Sequence, residues 1–254
     1  MCSIILKVAT FIMLISVVVA GKKRLVLHSN DDLLQAYQTL LSQMKTMETK
    51  VSMMESKVSL MQNNQASDGG STYVRWGKQT CPGNGTSTMY SGYAAGSYWS
   101  HTGSAANYLC LPGDPQWAYY EDSVGSGGRV YGGEYELGDN HGNGGSHYLG
   151  SNVRDEDAPC AVCQSPRSSV LMIPSRLNCY PGWTKEYSGY LMSGHYTHAS
   201  ATEFICVDSH VDVVPGGHPD QEGRLFYLVE GICGSLKCPP YVNGRELTCV
   251  VCSK

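Results

Sequence analysis

A chain of 254 residues with a formal charge of −4 has room for one or two domains with real cores. It lacks the basic surplus that a nucleic-acid-binding face requires, so nucleic acid is excluded as a partner. Its 11 cysteines make the redox compartment the first question to settle.

Lys7 precedes an apolar run from Val8 to Val19, and Val18 with Ala20 fits a signal-peptidase site, so residues 1–20 read as a secretory signal. The run falls short of the about 20 residues that a bilayer span needs. A signal anchor is the rival reading, helped by Lys22, Lys23 and Arg24 in the basic linker 21–29. Cleavage removes Cys2 and leaves ten cysteines, all after residue 80. An even count on an exported chain predicts disulfides, a secreted and extracellular location, and no membrane span in the mature protein.

Residues 30–64 differ in kind: 30–62 hold no Gly, Pro or Cys and are rich in good helix formers. Leu33, Tyr37, Leu40, Met44, Met47, Val51, Met54, Val58 and Met61 alternate spacings of four and three without a break. That is the heptad pattern of a coiled coil, and it predicts a homo-oligomer through residues 30–62. Leu34 and Leu41 widen the apolar face at e positions and favour a trimer. Asn30, Asp31 and Asp32 supply a cap and negative charge at the first turn. Asp68, Gly69 and Gly70 stop the helix within a Gly/Ser linker, 65–71. The rival is one amphipathic helix lying on the following domain.

Beyond residue 71 the chain states one pattern twice. Cys81, Tyr90-Ser91-Gly92-Tyr93, His101 and Cys110 are followed by Cys179, Tyr187-Ser188-Gly189-Tyr190, His198 and Cys206, with seven residues between Tyr and His in both. Each copy ends in Cys-x-Val-Cys, at Cys160/Cys163 and Cys249/Cys252. The reading is an internal duplication, 72–168 and 169–254, of a Cys-rich β unit. The fold class is therefore mainly β, disulfide-rich and internally duplicated, behind an N-terminal α-helical coiled coil. Strands are predicted at 72–76, 89–93, 107–111, 129–137, 170–173, 203–207, 224–230 and 247–251, with no helix after residue 71. Each set of four cysteines allows three pairings, while Cys233 and Cys238, without counterparts, close a local loop.

The runs Tyr73-Val74-Arg75-Trp76-Gly77-Lys78-Gln79-Thr80-Cys81-Pro82, Tyr90-Ser91-Gly92-Tyr93, His101-Thr102-Gly103 and Ala106-Asn107-Tyr108-Leu109-Cys110-Leu111-Pro112-Gly113-Asp114-Pro115 resemble the C-terminal non-collagenous domain of short-chain, spongin-type invertebrate collagens. Cys160-Ala161-Val162-Cys163 and Cys179-Tyr180-Pro181-Gly182-Trp183 match as well, and the resemblance covers residues 72–254. It implies an extracellular matrix module that assembles chains, with no catalytic residues to carry over. The Gly-X-Y repeat is missing, so no collagen triple helix can form. A coiled coil stands where that stalk would be.

Asn84-Gly85-Thr86 is a glycosylation sequon in a Gly-rich loop. Tyr90, Tyr93, His101, Tyr187, Tyr190 and His198 form a candidate ligand or partner face, set against the plainer reading that the tyrosines and histidines serve the fold. His195 with His198, and His141 and His147 beside Asp139, are possible metal groups, but neither has the ligand set zinc requires. No metal or cofactor is therefore expected. The Gly-rich run 125–150 opens no helix and is no dinucleotide cradle. The two Cys-x-Val-Cys segments lack the helix N-terminus that activates a thiol, and no catalytic triad is evident. The expected function is a secreted, non-enzymatic matrix protein whose heads contact matrix protein or glycan. The alternatives are a lectin-like recognition protein and a redox or metal enzyme.

Overall fold

A computed structural model describes residues 30–68, 70–103, 105–138 and 141–254, with side chains in the first helix described for 31–59. The expected signal 1–20, Cys2 and the basic linker 21–29 lie outside the described residues, as do Asp139 and the Met61 side chain. No described helix is long and apolar enough to cross a membrane.

Helix α1 (Asn30–Asp68) begins and ends where its cap and stop residues lie, so it takes in four residues of the expected linker. At about 1.5 Å per residue it is about 58 Å long. Thr39, Thr46 and Thr49 return their hydroxyls to the carbonyls of Gln35, Ser42 and Lys45, which keeps these weak helix formers satisfied in mid-helix. The eight heptad residues from Leu33 to Val58 are all exposed, 43–59%.

The following unit is mainly β. Its strands are β1 (Ser71–Trp76), β2 (Ser87–Gly96), β3 (Leu109–Pro112), β4 (Tyr131–Tyr135), β5 (Pro159–Ser165), β6 (Val170–Pro174), β7 (Thr184–Ser193), β8 (Ile205–Asp208), β9 (Arg224–Leu228), β10 (Glu230–Gly231), β11 (Arg245–Glu246) and β12 (Thr248–Ser253). The eight predicted strands fall on nine of these, the segment 224–230 running through β9 to the first residue of β10, and miss β5, β7 and β11. β5 was hidden because Pro159-Cys160-Ala161-Val162-Cys163 carries little β propensity. It is nevertheless the central strand, buried along most of its length between β1 and β2. The Gly-rich stretch also holds one short helix that the sequence did not predict, α2 (Ser146–Leu149), with both flanking glycines, Gly145 and Gly150, left-handed.

The strand order is β6-β12-β7-β8-β1-β5-β2-β4-β9, and β9 returns to pair with β7. Seven strands thus close a ring, with β12 and β6 branching from β7. Pairings β1–β5, β2–β5, β2–β3 and β2–β4 have counterparts β6–β12, β7–β12, β7–β8 and β7–β9. Two parallel pairings, β1 with β8 and β4 with β9, join the chain before residue 170 to the chain after it. Both apolar clusters draw on both sides of that point: one holds Trp76, Tyr135, Ile205 and Phe226, the other Tyr73, Cys163, Tyr187 and Val251. Arg75 grips Asp208 Oδ2 with Nε and Nη2 at 3.0 and 2.6 Å across the same seam. The two halves are interleaved, not strung as beads.

Five disulfides join Cys81–Cys163, Cys110–Cys160, Cys179–Cys252, Cys206–Cys249 and Cys233–Cys238. All ten described cysteines are paired, and each bridge stays on its own side of residue 170. The three-residue step from Cys160 to Cys163 points the two side chains to opposite faces of β5. Each sulfur therefore meets a different partner, and closure of the Cys-x-Val-Cys segment on itself is geometrically disfavoured.

Candidate functional site

The two Tyr-Ser-Gly-Tyr segments lie within long strands, β2 and β7, not in turns. A β-carbon on Gly92 would stand 1.8 Å from Leu111 O, and one on Gly189 would stand 1.9 Å from Val207 O. The motif glycine exists because the neighbouring antiparallel strands, β3 and β8, bring a carbonyl so close at that point that no side chain fits. The tyrosines divide. Tyr90 and Tyr93 are exposed, with Tyr90 Oη donating to Cys110 O at 3.1 Å. Tyr187 is buried, its hydroxyl donating to Cys206 O at 2.8 Å and its pKa driven far up by desolvation, so it serves the core and not a surface. Tyr190 is half-buried and packs edge-on against Tyr148 at 5.1 Å.

After each of these strands the chain makes the same tight turn. His101 N donates to Tyr98 O at 3.1 Å, and His198 N donates to His195 O at 3.0 Å. The two turns meet, Ser200 N donating to Trp99 O at 3.0 Å. Their rings form a continuous series: Tyr131 to His101 at 5.7 Å, His101 to Tyr98 at 5.1 Å, Tyr98 to Trp99 at 5.9 Å, Trp99 to His198 at 4.6 Å, and His198 to Tyr227 at 5.5 Å. Trp99 Nε1 is anchored to Glu222 Oε2 at 3.1 Å. The structure thus joins His101 and His198 in one aromatic ridge, apart from the Tyr-Ser-Gly-Tyr tyrosines with which the sequence grouped them. Tyr98, Trp99, Tyr131 and Tyr227 are the members sequence reasoning missed; a Tyr-Trp pair just before the repeated histidine was the available signal.

The ridge borders a cleft of about 990 Å³, lined among others by Glu136, His141, His195, His198, Tyr227 and Glu230. His101 lines a second hollow of about 620 Å³ with Asn107 and Arg129. Among the described residues His198 Nδ1 is buried without a hydrogen-bond partner, and burial first, then the neighbouring His195, hold its pKa below the usual value, so the ring is neutral at physiological pH. Glu136 is pushed up to about 7 by burial and by Asp155, Asp220, Glu134 and Glu222. Two residues of the cleft wall, His141 and Glu230, meet Glu246 beside it, one ligating atom of each lying within 4.8 Å of the others. His147, which the sequence placed with His141, is not part of that group.

Other buried polar groups of this unit are held by networks of hydrogen bonds, although Arg224 Nε and Tyr108 Oη have no partner among the described residues. Glu134 accepts backbone N–H bonds from Gln221, Glu222 and Gly223 at 3.1–3.2 Å. The left-handed φ of 51° at Glu222 turns those amides inward. Arg224, 1% exposed, donates to Ser200 Oγ at 2.9 Å and lies over the Tyr108 ring at 5.7 Å. No carboxylate among the described residues pairs with it, so the ring face and carbonyls carry its charge. Glu186 has no exposed side-chain surface and binds Arg167 at 2.7 Å, Tyr73 at 2.9 Å, Ser253, and Asn84 Nδ2 at 2.9 Å. Burial raises its pKa, but these bonds outweigh burial and leave it lowered. The amide of the sequon residue Asn84 is therefore also a structural donor, reaching Lys185 O at 3.0 Å as well.

Among the described residues, Ser209 with His210 at 3.1 Å and Thr197 with His195 at 2.8 Å make hydroxyl–imidazole contacts. Asp208 receives the backbone N of His210, and its other oxygen is held by Arg75. Among the described residues no carboxylate binds either ring, so neither contact has the third member that orients a catalytic base. No protein-family model matches the chain.

Proposed function

We propose that this chain is a secreted, non-enzymatic matrix protein whose residues 30–62 form a trimeric coiled coil, gathering duplicated heads that contact matrix protein or glycan. The observation that carries the reading is the unbroken apolar seam of α1, exposed at every described heptad position. Five disulfides fit an oxidising, extracellular destination, and the matching pairings on either side of residue 170 support descent from one repeated unit. The resemblance to the non-collagenous domain of spongin-type collagens fits the same role. A glycan at Asn84 belongs to this reading; attachment leaves one of the two N–H groups now bonded to Lys185 O and Glu186. Multivalency is the mechanism, since heads held on one stem convert weak contacts into strong attachment.

Sedimentation equilibrium of the full secreted chain is expected to give three times the chain mass, and Met47→Glu with Met54→Glu a monomer. A wild-type protein that stays monomeric at high concentration refutes the assembly. The aromatic ridge beside the cleft favours a lectin-like variant of this role, because sugar rings stack on such rings. A glycan array with saturable binding, lost in Trp99→Ala, supports that variant; a flat array leaves matrix protein as the partner.

A further inference from the structure

Glu230 and Glu246 face each other directly across the β10–β11 ladder, where like charges repel. The Cys233–Cys238 bridge stiffens the connection between those strands, and Gly244 N donates to Gly231 O at 2.8 Å, which ties the strand ends together. None of the ion pairs among the described residues involves either carboxylate. A third element, the turn starting at His141, brings an imidazole to the same place. Among the described residues His141 Nδ1 is one of four buried side-chain atoms without a hydrogen-bond partner, and the only one of the four beside two carboxylates that share the cluster, so it is free to take a ligand. Tyr148 Oη donates to Glu246 Oε1 at 2.8 Å, the kind of outer contact that orients a ligating carboxylate.

We propose that His141, Glu230 and Glu246 form a divalent transition-metal site, best suited to zinc, beside the cleft. The donor set decides the metal class. One imidazole with two carboxylates suits zinc and its neighbours, whereas calcium and magnesium prefer oxygen alone. Bonds of about 2.0–2.2 Å place ligand atoms about 3.3 Å apart, closer than the observed 4.8 Å limit. Exposed Glu230 supplies the closing movement. Three protein ligands leave one position open, and since His141 and Glu230 both line the cleft, that position faces an entering ligand. A carboxylate or vicinal hydroxyls of a glycan, or a side chain of a partner protein, would complete the shell. The site also gives the ladder a reason to carry two facing acids.

The test is calorimetric titration of zinc chloride into full-length protein stripped with EDTA and returned to chelator-free buffer. Saturable zinc binding is expected, with calcium unable to compete. Glu230→Gln, at an exposed position, and His141→Gln each lower zinc affinity at least about tenfold, while His195→Ala with His198→Ala does not. Unchanged thermal melting of Glu230→Gln separates ligand loss from misfolding, and unchanged sedimentation separates it from failure of the oligomer. Absence of saturable binding, binding indifferent to Glu230→Gln and His141→Gln, or displacement by equimolar calcium overturns the proposal.

Discussion

Adding a β-carbon at Gly92 or Gly189 drives it into a carbonyl of the neighbouring strand, and rigid backbone leaves no inexpensive relief. Gly92→Ala and Gly189→Ala are each expected to lower stability by about 3 kcal/mol, whereas Gly83→Ala, with open space around it, changes little; guanidinium unfolding under non-reducing conditions measures both. The titratable residues give opposite pH signs. Glu136, raised from 4.5 to about 7, holds its proton more tightly when folded, so its contribution is present in acid and lost as pH rises through that interval. Glu136→Gln is expected to flatten the fall in melting temperature between pH 5 and 7. Glu186 is depressed below its ordinary 4.5, so its contribution is full above that value and lost as pH falls through the folded pKa. Asn84→Asp sets a second carboxylate against Glu186 in place of a donor. It is expected to cost about 2 kcal/mol and to make acid partly restore the loss, which a pH series of melts detects.

Among the elements, α1 was the most legible from sequence, because heptad spacing, helix propensity and a Gly-Gly stop agree and depend only on local chemistry. The short strands were less so. β5 reads as a cysteine segment, and only its place between β1 and β2, with both sulfurs drawn to bridges on opposite faces, makes it a strand. β10 and β11 hold two residues each, too few to show any alternation, yet they position both acids of the proposed metal group. The bridges also differ by the chain they close. Replacing Cys81 and Cys163 by Ser, with Cys110–Cys160 nested inside, is expected to cost about 4 kcal/mol, against about 2 kcal/mol for Cys233 and Cys238 with a separation of 5. Comparison of denaturant midpoints for the two double variants checks that order.

For the whole molecule, composition and local pattern determined what the chain is made of: a helix with an apolar stripe, a mainly β unit in which one motif is stated twice, and cysteines in the number that disulfides require. Those are properties of neighbours in sequence or of residue type. Tertiary structure decided that the two statements interleave through β1–β8 and β4–β9 and share their cores, that Tyr187 belongs inside while Tyr90 and Tyr93 face out, and that His141 meets Glu230 and Glu246 instead of His147. Each of these depends on which strands lie side by side. Pairing between segments about a hundred residues apart is set by the packing of the assembled sheet, and no local stretch of chain records it.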